Sequence, residues 1–253
     1  MLLQDKVIFL TGGSAGIGWH CAKSYAAEGA HVAIFAKEPE AVFRTIDELG
    51  SNHLGLPGDL LKSEDVRVAL EKTVERFGRL DAIHNNAGVG HPSKPLHETS
   101  DEEWDTLFDT NLKSVLYTTR FGLEALKKSR GCILNTSSLV GVIGQALHAA
   151  YTATKGGMNT LTKSMAIDYA PDGIRVNAVC PAGVWTPMLR DWTMSQPNPE
   201  SMEKYLDDIH ALGYCPEGDV IADAAVFLLS EKARFITGHI MHVSGGAEIG
   251  YRR

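Results

Sequence analysis

The apolar run Lys6–Leu10 (KVIFL) ends in Thr11-Gly12-Gly13-Ser14-Ala15-Gly16-Ile17-Gly18. A helical apolar spacing starts inside that same turn, with Ile17, Cys21 and Tyr25 on one face. A strand that passes into a helix through so short and glycine-rich a turn leaves few architectures open. The helix acts as a crossover, and the next strand returns parallel to the first. Gly29 suits the helix C-terminus, and His31–Phe35 (HVAIF) follows as the second strand.

The alternation persists along the chain. Ala41–Leu49 reads as a helix, His53–Leu56 as a weak strand, Ser63–Phe77 as a helix closed by Gly78, and Leu80–His84 as a fourth strand. Asp101–Lys128 predicts one long helix carrying Trp104, Leu107, Phe108, Leu112 and Val115. Cys132–Asn135 reads as a strand, Tyr151–Tyr169 as a helix stopped by Pro171, and Arg175–Val179 as a strand. Val220–Leu229 is the last helix and Ile240–Val243 the last short strand. Strands this apolar are buried on both faces, as in a parallel sheet. The expected class is α/β: a single doubly wound domain over residues 1–253, with a central parallel sheet of about seven strands and helices on both faces. Ligands then bind at the carboxyl ends of the strands. Residues 187–216, rich in Met, Trp, Pro and Ser, interrupt the pattern and are expected to form a substrate lid.

Composition removes several functions. The net charge of −7 repels a phosphate backbone, so no nucleic-acid partner is expected, although a small local basic site is compatible with it. Cys21, Cys132, Cys180 and Cys215 lack metal-ligand spacing and read as buried free thiols in a reducing compartment. His239 and His242 fall on opposite faces of a strand, so no metal site is expected. No apolar run approaches the ~20 residues of a membrane span. The amino terminus has no basic segment ahead of an apolar stretch. The expectation is a cytoplasmic protein with a small-molecule substrate and no membrane partner.

Two groups carry chemistry. Glycines between a strand and a helix let the backbone approach a pyrophosphate, and the helix start offers free N–H groups and a positive dipole end. The spacing here is GxxxGxG, and an ordinary tight turn is the plain alternative. Tyr151 and Lys155 share one helix face. A phenol, with a reference pKa of about 10, is a poor base at neutral pH. A fixed ammonium nearby favours the phenolate and lowers that value, so the pair suits acid/base work; a surface contact is the plain alternative.

These groups take their place in an ordered series: TGGSAGIG at 11–18, Asp59 after the third strand, Asn85-Asn86-Ala87-Gly88 after the fourth, Asn111, Ser138, Tyr151/Lys155, and the segment from Pro181 to Thr186. With this series the sequence resembles the short-chain dehydrogenase/reductase family over almost its whole length. The resemblance implies a Rossmann-type NAD(P)-binding domain and an oxidoreductase for a secondary alcohol/ketone pair. It makes Tyr151 the acid/base and has Ser138, rather than Ser137, bind the reacting oxygen. Lys155 also holds the nicotinamide ribose, and Asn111 orders a water in the proton relay. Gly12, Ser14, Gly16, Ile17 and Gly18 then face the cofactor phosphates. Asp59 and Leu60 flank the adenine, Asn86, Ala87 and Gly88 line the ribose, and Pro181, Val184 and Thr186 face the nicotinamide. Ala182 replaces a usual glycine there, and Trp185 stands where an aspartate is common. Ala36 occupies the position of the family's ribose-binding acid and Lys37 follows it, which favours NADP(H) over NAD(H). Glu38 and the uncharged Ala15, where many NADP-using relatives carry a basic residue, weigh the other way.

His148, just before Tyr151, and His91 fall on loops near the expected cleft, and Trp185, Trp192 and Met194 are expected to wall it. A sugar, polyol or other small hydroxy compound is the expected substrate. The alternative is a 3-oxoacyl-[acyl-carrier-protein] reductase, whose acidic partner needs a basic patch; Arg120, Lys127, Lys128 and Arg130 cluster weakly on the long helix, while 187–216 offers only Arg190 and Lys204. A catalytically silent nucleotide sensor is the reading from another class. The resemblance also implies a homotetramer built through the helices at 101–128 and 151–169, where Gly156 and Gly157 would allow close contact.

Overall fold

Strands β1 (Val7–Thr11), β2 (His31–Ala36), β3 (Leu54–Pro57), β4 (Ala82–Asn85), β5 (Cys132–Thr136), β6 (Arg175–Pro181) and β7 (Ile240–Val243) form one sheet in the order β3-β2-β1-β4-β5-β6-β7. The structure is a computed structural model and describes residues 1–250. Every pairing is parallel, from Ala33 opposite Leu54 at one edge of the sheet to Pro181 opposite Val243 at the other. The chain runs outward from β1 through β2 and β3, then restarts at β4 on the other side. That reversal leaves a crevice at the carboxyl ends of β1 and β4, where the first two loops of chemical interest emerge.

Helices α1 (Gly16–Ala27), α2 (Pro39–Leu49), α3 (Ser63–Phe77), α4 (Asp101–Phe108), α5 (Ser114–Ser129), α6 (Ala149–Tyr169), α7 (Pro187–Met194), α8 (Pro199–Asp208) and α9 (Asp219–Leu229) cover the sheet. Side chains alternate across a strand, so each strand feeds two cores. Ile8, Leu10 and Val32 pack with Cys21 and Tyr25 of α1 and with Ile221 and Leu228 of α9. Val7, Phe9 and Ile83 pack with Leu70 of α3, Val115 of α5 and Met158 of α6. Burial of such a side chain contributes roughly 1.5–3 kcal/mol, which explains why the strands are apolar on both faces.

Three elements differ from the sequence expectation. The long helix over 101–128 is not continuous: a π-helical turn, Asp109–Lys113, separates α4 from α5 and contains Asn111. α6 begins at Ala149, before Tyr151, because His148 ends the preceding loop. Residues 187–216, expected to interrupt the strand–helix alternation, carry two helices in succession, α7 and α8. Each starts on proline and is capped by a side-chain oxygen, from Thr186 and Asn198 respectively. All four cysteines are free and buried. Among the described residues no helix is long and apolar enough to cross a membrane.

Candidate active site

The crevice is floored by two loops tied together. Gly12 has φ +66°, and a Cβ there would stand 3.0 Å from the Ala87 Cα. A Cβ on Gly18 would lie 2.1 Å from the Gly12 carbonyl oxygen, so α1 reaches this depth only with glycine. The Thr11 hydroxyl accepts from the Asn86 and Ala87 amides at 3.0 and 3.1 Å. The Asn86 side chain donates back to the Thr11 and Gly12 carbonyls at 3.1 and 3.3 Å. No side chain caps α1, since Ala15 is its N-cap. Its first amides therefore face a cleft of about 330 Å³, lined among others by Ser14, Ala15, Gly16, Trp19, Arg44 and Thr186. An uncapped helix start beside open space suits a pyrophosphate.

The remaining cofactor candidates surround this floor. Ile17 packs against the core below α1. Ala36 ends β2, its carbonyl accepting from the Gly58 amide at 3.0 Å, and Lys37 beyond it is exposed. Asp59 shapes its own turn, accepting from the Leu61 amide at 3.0 Å, and Leu60 packs on the core. Pro181 ends β6, Val184 is buried, and the Thr186 hydroxyl accepts from the Leu189 amide at 3.2 Å.

Asn111, Tyr151, Lys155 and Ser138 converge beside Gly88. A Cβ on Gly88 would stand 3.1 Å from Asn111 Oδ1 and 3.5 Å from Lys155 Nζ. Asn111 is buried in the π-helical turn, and its amide is fully engaged. Oδ1 accepts from the Val89 amide at 2.9 Å, while Nδ2 donates to the Val89 carbonyl at 2.9 Å and to Thr154 Oγ1 at 3.0 Å. The turn thus clamps the loop after β4 to α6. Lys155 donates from Nζ to the Thr136 carbonyl at 2.8 Å and lies 5.7 Å from the centre of the Tyr151 ring. Ser137 and Ser138 have different tasks: Ser137 Oγ donates to the Lys155 carbonyl at 3.1 Å, whereas the Ser138 hydroxyl hydrogen-bonds the Tyr151 phenol.

Burial dominates the protonation states. It pushes the Tyr151 phenol above its ordinary value, and the Ser138 hydrogen bond opposes this. Burial also lowers Lys155 to about 8. The sequence argument has the ammonium lowering the phenol's pKa; in the protein alone desolvation prevails, and Tyr151 at neutral pH is a proton donor.

The outlying candidates divide between two places. His148 Nδ1 donates to the Ala146 carbonyl at 2.9 Å, and its Nε2 shares a hydrogen bond with Ser93 Oγ at 2.9 Å. Its ring stands edge-on to Tyr151 with centroids 6.3 Å apart. His91 and Trp192 line a cavity of about 510 Å³ with Met188, Asp191 and Ser195. Trp185 is elsewhere: it lines the cleft at the glycine-rich turn and stacks under Arg190 at 4.9 Å. Met194 is exposed. The three side chains expected to form one apolar wall therefore do not meet. Gly157 packs inward instead of offering a bare surface, its Cβ position lying 3.1 Å from Leu112.

Sequence reasoning missed four contributors. Thr136 offers a backbone carbonyl, which carries no sequence signal. Thr154 and Ser93 hold Asn111 and His148, and only their closeness in sequence to Lys155 and His91 could have pointed to them. Arg44 reads in sequence as an ordinary charge on the outer face of α2.

Comparison with known proteins adds independent findings. A family profile described as Enoyl-(Acyl carrier protein) reductase matches residues 12–248. The L-fucose dehydrogenase of Bos taurus is 40% identical over 248 residues, covering 98% of this chain and 91% of its own. A 3-ketoacyl-(acyl-carrier-protein) reductase from Brucella melitensis, solved with NADH, superposes with a TM-score of 0.91 at 33% identity, covering 97% of this chain and 99% of its own. The aldohexose dehydrogenase of Thermoplasma acidophilum, solved ligand-free, superposes with a TM-score of 0.89 at 30% identity, covering 99% and 97%.

Proposed function

The chain belongs to the short-chain dehydrogenase/reductase family, whose members here are NAD(P)-dependent oxidoreductases acting on CH–OH groups, and we propose that its own substrate is a sugar or polyol, oxidised at a secondary hydroxyl or formed from the ketone. The Ser138–Tyr151 hydrogen bond beside the Lys155 ammonium carries the catalytic part of this reading. The glycine-rich turn and the start of α1 would hold a nicotinamide cofactor, which would supply the hydride donor or acceptor. Tyr151, kept protonated by burial, gives its proton to the carbonyl oxygen in reduction and receives it back in oxidation. Ser138 hydrogen-bonds that same oxygen and stabilises charge developing on it. Lys155, tied to the Thr136 carbonyl, holds a positive charge beside the phenol and would hold the nicotinamide ribose. Asn111 clamps the loop after β4 to α6, the helix that carries Tyr151 and Lys155.

The cavity lined by His91, Asp191 and Trp192 supports a hydroxylated substrate. An indole face, a carboxylate and an imidazole match the apolar faces and hydroxyl groups of a sugar ring. The names of the fucose and aldohexose dehydrogenases support the same class. The second reading, reduction of a 3-oxoacyl thioester, is favoured by the Brucella structure. Against it, Arg190 in the lid is already paired with Glu217, and Lys204 with Asp208. NADP(H) as preferred cofactor, a cytoplasmic location and a homotetramer belong to the same proposal, the last through the helix pair that leaves Leu116 and Ile167 exposed.

The test is nicotinamide absorbance with purified protein, against aldoses, polyols and 3-oxoacyl thioesters, using both cofactors. Turnover of an aldose or polyol is expected, with Tyr151→Phe losing about 10²–10⁴-fold in kcat while binding cofactor normally. Turnover of thioesters alone would overturn the substrate class. Turnover unchanged in Tyr151→Phe would overturn the mechanism.

A further inference from the structure

The cleft beside the glycine-rich turn holds a cation that the mechanism does not use. Arg44 projects from α2 and lines this space of about 330 Å³ together with Ser14, Ala15 and Gly16. Among the described residues it forms no ion pair, although Glu40 and Glu48 lie one turn away on either side of it. Glu48 instead accepts from Trp19 Nε1 at 2.9 Å. The other guanidinium of the cleft is committed, since Arg190 pairs with Glu217 and stacks on Trp185.

The surroundings show what this charge faces. Ala36 ends β2 without a carboxylate and is followed by the exposed Lys37 and Glu38, and the one carboxylate that lines the cleft, Glu217, is paired with Arg190. The turn itself is uncharged, with Ala15 as the uncapped start of α1. An uncapped helix start, a serine hydroxyl and a free guanidinium border one cleft. That set recognises a phosphate monoester, to which a guanidinium presents two parallel donors. NADP(H) differs from NAD(H) only by such a group on the adenosine ribose.

We propose that Arg44 binds the adenosine 2′-phosphate of NADP(H), supplying from α2 the positive charge that the glycine-rich turn lacks at Ala15. The inference rests on the nicotinamide-cofactor reading above and adds a residue that sets the choice between the two cofactors. Arg44 touches neither the nicotinamide end nor the reacting oxygen, so its effect is confined to the phosphate.

Equilibrium binding tests it without turnover. Trp19 and Trp185 line the same cleft, so tryptophan fluorescence reports occupancy. NADP⁺, NAD⁺, adenosine 2′,5′-bisphosphate and 5′-AMP are titrated into wild type, Arg44→Gln and Arg44→Lys, with melting temperatures as the folding control. Wild type is expected to prefer NADP⁺ and the bisphosphate. Arg44→Gln should weaken both by about 10- to 100-fold and leave NAD⁺ and 5′-AMP unchanged. Arg44→Lys should recover part of the loss. Equal weakening of NAD⁺ and NADP⁺, no change with either, or a wild-type preference for NAD⁺ would overturn the assignment. Wild type that binds neither dinucleotide would overturn the cofactor reading itself, an outcome visible before any variant is compared.

Discussion

Acidifying this protein should unfold it through His84 before most of its carboxylates are protonated. His84 is fully buried in β4. Thr136 Oγ1 donates to Asn86 Oδ1 at 3.4 Å, so its lone pair receives His84 Nε2–H at 2.9 Å. Nδ1 then accepts from the Tyr25 hydroxyl at 2.8 Å. A ring with one donor and one acceptor nitrogen, both matched, has no use for a second proton. Burial lowers its pKa from 6.5 to about 3. The unfolded chain therefore binds more protons than the folded one between those values, and stability falls as pH falls through that window. Integrated from neutral pH down to pH 5, this residue alone removes about 2 kcal/mol, and at pH 3 the loss reaches about 4 kcal/mol. The perturbation is His84→Gln, an uncharged side chain that offers one donor and one acceptor. Urea unfolding of wild type and variant is followed by circular dichroism from pH 7.5 to pH 5 at one protein concentration. The fixed cost of the substitution cancels in the slope, as do the other titrating groups. The wild-type curve should converge on that of the variant by about 2 kcal/mol across the range. Parallel curves would refute the reasoning and show that the folded imidazole titrates near its ordinary value.

Three further outcomes follow from the site. Ketone reduction requires Lys155 charged and Tyr151 protonated, and burial holds Lys155 at about 8, so kcat/KM for reduction should decline as pH rises past that value. A profile flat to pH 10 would contradict the assignment. The same depressed lysine adds stability as pH rises from about 8 towards its ordinary 10.5, the unfolded chain again binding the extra proton. Asn111→Ala removes three hydrogen bonds that join the loop after β4 to α6 and leaves the half-buried Val89 amide and carbonyl unpaired. It should destabilise the fold by about 1–3 kcal/mol in urea titration and lower kcat more than it alters KM.

Much of this was legible because the informative residues punctuate a regular alternation. The glycine-rich turn could follow only a strand and precede only a helix, and Tyr151 and Lys155 share a face by helix geometry alone. What escaped the sequence has identifiable physical causes. Lys155 is held by the Thr136 carbonyl, a group every residue possesses. The charge of Arg44 looks solvated until the cleft beneath it is seen. Trp185 and Trp192 are close in sequence, but α7 begins between them at Pro187 and carries only the second towards His91. From sequence the phenol's pKa follows its neighbour's charge, whereas in the folded protein burial raises it and the Ser138 hydrogen bond opposes that rise.

The wide turn between α4 and α5 has a consequence of a different kind. A π-helical turn accommodates one residue more than an α-helical path of the same span, and that residue shifts the phase of everything after it by about 100°. Through that offset Asn111 faces Val89 and Thr154 while Leu107 and Val115 still face the core. Deletion of a single residue at 109–113 would let the two helices fuse into one continuous rod and swing Asn111 away from the loop it clamps. The placement of Asn111 therefore depends on the length of this stretch, and the spacing between Trp104 and Tyr117 acts as a ruler for the site.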